Sequence, residues 1–260
     1  MISILDLEGN RMIIPTRPFH TLLLILLLAL IGGIPLRAHP TPMQALGSEP
    51  DAPVICIDPG HPSEVNNGLT VQNGTTETHI DWVVAQKLQQ LLTQQGYKVV
   101  LTKAAETQLV KNKERALIAN RAHAALMVRL HCDSSTDKGY ALYYPDRQGT
   151  AQGKTGPTAD IMKRSKRAAE TLDAGMAKVL EGHLKNGGVR GDSKTAVGSK
   201  QGALTGSIFS EVPVVTIEMV VLNNKGDAAY IKTEDGQQQM AQAIADGITR
   251  FVPLKKQSTD

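Results

Sequence analysis

Three apolar runs that each break off at a chemically active residue constrain this chain more than any other feature. Val54-Ile55-Cys56-Ile57 leads into Asp58-Pro59-Gly60-His61, Ala125-Leu126-Met127-Val128-Arg129-Leu130 into His131-Cys132-Asp133, and Val212-Pro213-Val214-Val215-Thr216-Ile217 into Glu218. Runs rich in Val and Ile suit strands covered on both faces, as in a parallel sheet with helices above and below. Pro59 lacks the N–H that would continue a ladder and Gly60 permits a sharp turn, so His61 is thrown past the strand's carboxyl end. In open α/β sheets that edge is where sites are built. His61, His131 and Glu218 are therefore read as one constellation.

The segments between these runs alternate in the way such a sheet requires. Ile80, Val83, Val84, Leu88, Leu91 and Leu92 recur at helical spacing, with Thr75 or Thr76 as N-cap and Gly96 as stop. A strand over 97–102, a helix over 111–123 and the run to Leu130 then complete a β-α-β-α-β order. Further on, the pattern predicts a strand over 139–144, a surface loop over 145–157 and a long helix over 159–186. A glycine-rich loop with a short strand over 187–210 precedes the strand ending at Glu218, then a turn at 223–226 and a closing helix over 234–251. The expected fold is α/β, with a largely parallel sheet covered by helices on both faces.

Of 260 residues, 41% are hydrophobic and only 3% aromatic, so the core must be built from Leu, Val, Ile and Ala. That disfavours an aromatic stacking platform for nucleic acid bases. A net charge of +3 adds no requirement for nucleic acid either. Cys56 and Cys132 lack metal-knuckle or redox spacing and read as buried thiols, a bridge between them being the alternative. The leucine-dominated run 21–36, preceded by Arg11 and Arg17, has the layout of an export signal. It is short for a membrane span of roughly 20 residues. Residues 1–38 are thus expected to be a signal peptide or N-terminal anchor, 39–52 a proline-rich linker, 53–253 the catalytic domain and 254–260 a tail. The protein is expected to be exported to the periplasm, envelope or medium.

Two histidines and a carboxylate from separate elements form a common zinc set that leaves a fourth position for water. His61 and His131 supply the nitrogens. Glu64 and Glu77 both remain open as third ligand, with His79 as the reserve, and Glu218 is the natural general base.

Asp58-Pro-Gly-His61, with a later strand histidine and a late glutamate, resembles the zinc-dependent N-acetylmuramoyl-L-alanine amidases of family 3. Matching stretches are Gly74-Thr-Thr-Glu77, Gly96-Tyr-Lys-Val-Val-Leu-Thr-Lys103, Arg115-Ala-Leu-Ile-Ala-Asn120, Arg129-Leu-His131-Cys-Asp133 and Pro213-Val-Val-Thr-Ile-Glu218. The resemblance implies one Zn2+ held by His61, Glu77 and His131, with Glu218 catalytic. It also implies a three-layered α/β fold, a mostly parallel sheet of about six strands flanked by helices, and hydrolysis of the amide between N-acetylmuramic acid and L-alanine in peptidoglycan. The protein is expected to be a monomer that meets a membrane only through its N-terminal segment. Against the family pattern, Pro62-Ser63 replaces Gly-Gly, Arg129 replaces serine, Asp133 replaces asparagine and Val220-Val221 replaces Gly-Phe. Arg129 lies two residues before His131, so it should share its side of the strand. It is read as a substrate contact for a stem-peptide carboxylate, or as a structural partner of an acid such as Asp133. The alternative enzyme is a zinc carboxypeptidase-like peptidase using His61, Glu64 and His131. The non-enzymatic alternative is a wall-binding descendant of an amidase.

Overall fold

The computed structural model describes residues 52–255 and, ahead of them, the backbone of a separate antiparallel pair, β1 (Ile2–Leu5) against β2 (Arg11–Ile14). The expected export segment and linker otherwise lie outside the described residues. Among the described residues no helix is long and apolar enough to cross a membrane.

A six-stranded sheet organises the rest, in the order β4-β3-β5-β10-β6-β9. Its members are β3 (Val54–Pro59), β4 (Lys98–Leu101), β5 (Leu126–Asp133), β6 (Tyr140–Tyr144), β9 (Asn186–Gly191) and β10 (Val214–Val221). β4, β3, β5 and β10 run parallel, β6 is antiparallel to β10, and β9 is parallel to β6. Alternation along the strands sends their residues to two layers. Ile55, Ile57, Leu126, Val128, Leu130, Val215 and Ile217 share a core with α1 (Glu77–Gln94), α3 (Ala159–Leu180) and α7 (Glu234–Phe251). Cys56, Met127 and Val214 face the opposite way, onto Ala119 of α2 (Asn112–Arg121). Each fully buried Ile, Leu or Val of this kind contributes about 1.5–3 kcal/mol.

Helix boundaries follow local chemistry. Thr76 caps α1 by accepting from the His79 N–H, and Thr233 caps α7 by accepting from the Gly236 N–H. Three segments depart from the sequence expectation. The helix expected over 159–186 ends at Leu180, because Glu181 leaves helical geometry and Gly182 turns at φ +78°; Asn186 instead opens β9. The loop expected over 145–157 holds a hairpin, β7 (Gly149–Ala151) against β8 (Lys154–Gly156). The turn expected at 223–226 begins α6 (Lys225–Ile231), since the Asn224 side chain accepts from the N–H groups of Gly226 and Asp227. Between β9 and β10 lie a 3-10 turn (Asp192–Lys194), α4 (Gly198–Gln201) and α5 (Thr205–Phe209). Cys56 and Cys132 are both free and buried.

Candidate active site

His61, Glu77 and His131 meet at the carboxyl edge of the parallel strands. His61 follows β3, Glu77 is the first residue of α1, and His131 stands in β5. Glu77 Oε1 lies 3.1 Å from His61 Nε2 and 3.0 Å from His131 Nδ1. The candidate ligand atoms of the three residues all fall within 4.8 Å of one another. The imidazoles approach edge to face, 5.1 Å between centroids. Their side chains are 11%, 12% and 17% exposed, sheltered yet reachable from solvent.

The donor set fits zinc. Two imidazole nitrogens and one carboxylate oxygen are the ligand types of catalytic zinc sites, and their mutual spacing is that of atoms sharing one ion. His61 Nδ1 pairs with the Asn66 carbonyl at 3.0 Å, which places the proton on Nδ1 and leaves Nε2 free to ligate. Burial alone would raise the Glu77 pKa, but hydrogen bonds and charge from His131 and His61 bring it down to about 2. Burial lowers the pKa of His131. Anionic glutamate and neutral histidine are the forms that bind metal. For His61, burial acts downward and the Glu77 carboxylate outweighs it, raising the pKa.

Glu218 pairs with His131 across the β5–β10 ladder, beside a register shift that runs to Val221. Its Oε2 is buried with no hydrogen-bond partner. Burial first, then the Glu77 and Asp133 carboxylates, push its pKa well above the ordinary value, with Arg129 opposing. A carboxyl so placed is suited to proton transfer.

The other candidates lie elsewhere. Glu64 accepts from the Asn112 N–H at 2.9 Å and so caps the entry to α2. His79 pairs with Glu106 at 3.2 Å, half exposed. Arg129 occupies the same sheet face as His131, one pleat back. There Nε donates to Asp58 Oδ2 at 2.9 Å and Nη2 to Asn112 Oδ1 at 2.8 Å, with Gly206 packed over the guanidinium. Its acid partner is Asp58 and not Asp133, because β3 and β5 set Asp58 opposite Arg129.

Residues 55–250 match the family described as N-acetylmuramoyl-L-alanine amidase. The chain belongs to this amidase family. It is 22% identical over 238 residues to the N-acetylmuramoyl-L-alanine amidase AmiC of Neisseria meningitidis, covering 84% of this chain and 57% of that protein. The chain thus spans little more than half the length of that relative. Among solved structures, the catalytic domain of the amidase CwlV from Bacillus (Paenibacillus) polymyxa is 25% identical, with a TM-score of 0.61 over 78% of this chain and 99% of that one. The amidase AmiC2 of Nostoc punctiforme is 22% identical, with a TM-score of 0.62 over 77% of this chain and 97% of that one.

Behind the cluster of His61, Glu77 and His131 lies a support that the strand-end reading did not identify. Arg115 donates to the carbonyls of Val110 (2.9 Å), Pro59 (2.6 Å) and Pro62 (2.9 Å) and to Asp58 Oδ1 (2.6 Å). Lys103 Nζ donates to the carbonyls of Gly60 (3.0 Å), His61 and Glu106 (2.9 Å). Every carbonyl from Pro59 to Pro62 is thereby held by a buried cation, which fixes His61 at its left-handed φ of 44°. Both cations stand inside the matched motifs, and that was the available signal. Asp81, one turn after Glu77 on α1, is fully buried with Oδ2 unpartnered. The i, i+4 spacing could have marked it.

Proposed function

We propose that this domain is a zinc-dependent hydrolase of the amide between N-acetylmuramic acid and L-alanine in peptidoglycan, acting outside the cytoplasm. The observation that carries this reading is the convergence of His61 Nε2, Glu77 Oε1 and His131 Nδ1 beside Glu218, in a chain of the amidase family. A zinc ion held by those three residues would supply a Lewis acid that acidifies water and polarises the scissile carbonyl. Glu218, across the ladder from His131, accepts the proton from the attacking water and passes it to the departing amine of L-alanine. Asn66 keeps His61 in the ligating tautomer, and Arg115 and Lys103 hold the loop that carries it. Export follows from the location of the substrate and from the signal-like run 21–36. The domain is proposed to act as a monomer, with any membrane contact confined to its N-terminal segment. A carboxypeptidase-like set would need Glu64, which is engaged at the start of α2.

The test is digestion of purified muropeptides by the full chain, with products identified by mass spectrometry. Intact stem peptides bearing a free L-alanine amine are expected. Glu218→Gln should keep its metal and lose about 100- to 10,000-fold in turnover, the usual contribution of a general acid–base residue. Release of a single carboxyl-terminal amino acid, or a Glu218→Gln variant with near-native turnover, would overturn the reading.

A further inference from the structure

Beside Glu218 opens a cavity of about 550 Å³ that the chemistry above leaves unused. Asp133 at the end of β5, Ser135, Thr136 and Asp137 of the following loop, Tyr143 of β6 and Arg190 of β9 form part of its wall. Lys194 and Thr195, at the 3-10 turn after β9, complete the polar lining. Two of its acids are engaged. Asp133 Oδ1 accepts the backbone N–H groups of Ser134 at 2.6 Å and Ser135 at 3.1 Å, which shapes the loop. Asp137 accepts from the Lys138 N–H and pairs with Lys185 at 3.6 Å as well as Arg190 at 3.3 Å.

The cations are less fully used. Arg190 is oriented by three long bonds: Nε to the Gly187 carbonyl, Nη1 to the Tyr143 hydroxyl and Nη2 to Asp137, each at 3.3 Å. A guanidinium has five N–H donors, so two remain on an already fixed plane. Lys194 is exposed and makes no hydrogen bond or ion pair among the described residues. Lys185 also pairs with Asp137, so that carboxylate does not depend on Arg190 alone for a counter-charge. A fixed guanidinium with spare donors and an unpaired ammonium, set among hydroxyls, suit a carboxylate.

We propose that this cavity is the subsite for a carboxylate of the leaving peptide, bound by Arg190 with Lys194 as the second charge. The inference rests on the proposed amidase reading and deepens it. Glu218 must return its proton to the amine side of the scissile bond, so the wall it shares with Arg190 and Lys194 is the wall that peptide meets. The muramic acid side offers neutral acetamido and hydroxyl groups, whereas the peptide carries free carboxylates. The nearest is the α-carboxylate of the γ-linked glutamate that follows L-alanine. The role sought for Arg129 thus falls to a cation three strands away from β5 across the sheet, on β9 past β10 and β6.

The test uses a pair of muropeptides that differ only in whether that α-carboxylate is free or amidated. Binding of each to the metal-loaded full-length Glu218→Gln protein is measured by calorimetry, and turnover is measured with the unsubstituted chain. The free acid should bind at least about tenfold more tightly, in line with a charge-assisted hydrogen bond. Arg190→Gln and, separately, Lys194→Met should each shrink that preference, by weakening binding of the free acid more than binding of the amide. Lys194→Met removes an exposed, unpartnered side chain, so it remains informative if Arg190→Gln fails to fold. Equal binding of the two muropeptides, tighter binding of the amide, or a preference that survives both substitutions would overturn the subsite. Preferential binding of the free acid with no cleavage by the unsubstituted chain would instead remove the amidase reading and leave the subsite standing.

Discussion

Asp58 carries its carboxylate at 0% exposure, which only its surroundings make tolerable. Burial pulls its proton affinity up, yet the guanidiniums of Arg115 and Arg129 and the Thr102 hydroxyl outweigh that and hold the carboxyl well below the usual range. Because the folded-state value is depressed, the group contributes stability above the unfolded value of about 3.9 and loses it as pH falls through the folded one. Asp58→Asn leaves two buried guanidiniums short of a counter-charge and should cost about 3–5 kcal/mol at pH 7. Urea unfolding across pH checks this, since the deficit relative to the parent chain should narrow below about pH 4. An unchanged midpoint at pH 7 would mean that the Asp58 cluster bears no weight. From the sequence, Asp58 was visible only as part of the motif that delivers His61. Its pairing with Arg129 depends on the β3–β5 register, which no local pattern encodes.

At the scale of elements, α3 and α7 cross where two glycines meet. A Cβ on Gly175 would stand 2.6 Å from Gly247 Cα and 2.8 Å from its N, backbone atoms that cannot rotate aside. Alanine there gains about 1 kcal/mol of helix propensity, but overpacking costs up to about 3 kcal/mol. Gly175→Ala should therefore be net destabilising by about 2 kcal/mol in denaturant unfolding. A stabilised variant would show that the helices separate freely. The sequence revealed elements where several signals agreed. α1 has a threonine cap, a clean apolar stripe and a glycine stop, and α7 runs over 234–251 as the periodicity indicates. It concealed elements where signals were weak or opposed. The three-residue strands β7 and β8 consist largely of Gly, Thr and Ala, too short to show alternation. The polar, apolar and basic residues after Leu180 continue a helical pattern that Gly182 ends. Asn224 sits among turn formers and yet serves as a cap.

Across the whole molecule, the parallel strands β3, β5 and β10 bring His61, His131 and Glu218 to one edge, while the reversed strands β6 and β9 wall the neighbouring cavity. This explains the uneven legibility of the site. Each strand-end residue was marked by the run that delivers it, whereas Arg190 and Lys194 lie in the glycine-rich stretch where no periodicity points to a face. Glu77, one of two open choices in the sequence, begins the helix that sets its carboxylate against His61 and His131, whereas Glu64 is engaged at the start of α2. A metal bound at this convergence, as proposed, would tie β3, α1 and β5 together. Its removal by chelation should lower the melting temperature, with the shift reversed when zinc is restored. The most direct test is the zinc content of purified full-length Glu77→Ala and Glu64→Ala proteins by elemental analysis. One equivalent of zinc is expected in the parent chain and in Glu64→Ala, and a large deficit in Glu77→Ala. Full occupancy in Glu77→Ala, or a deficit confined to Glu64→Ala, would contradict the assignment.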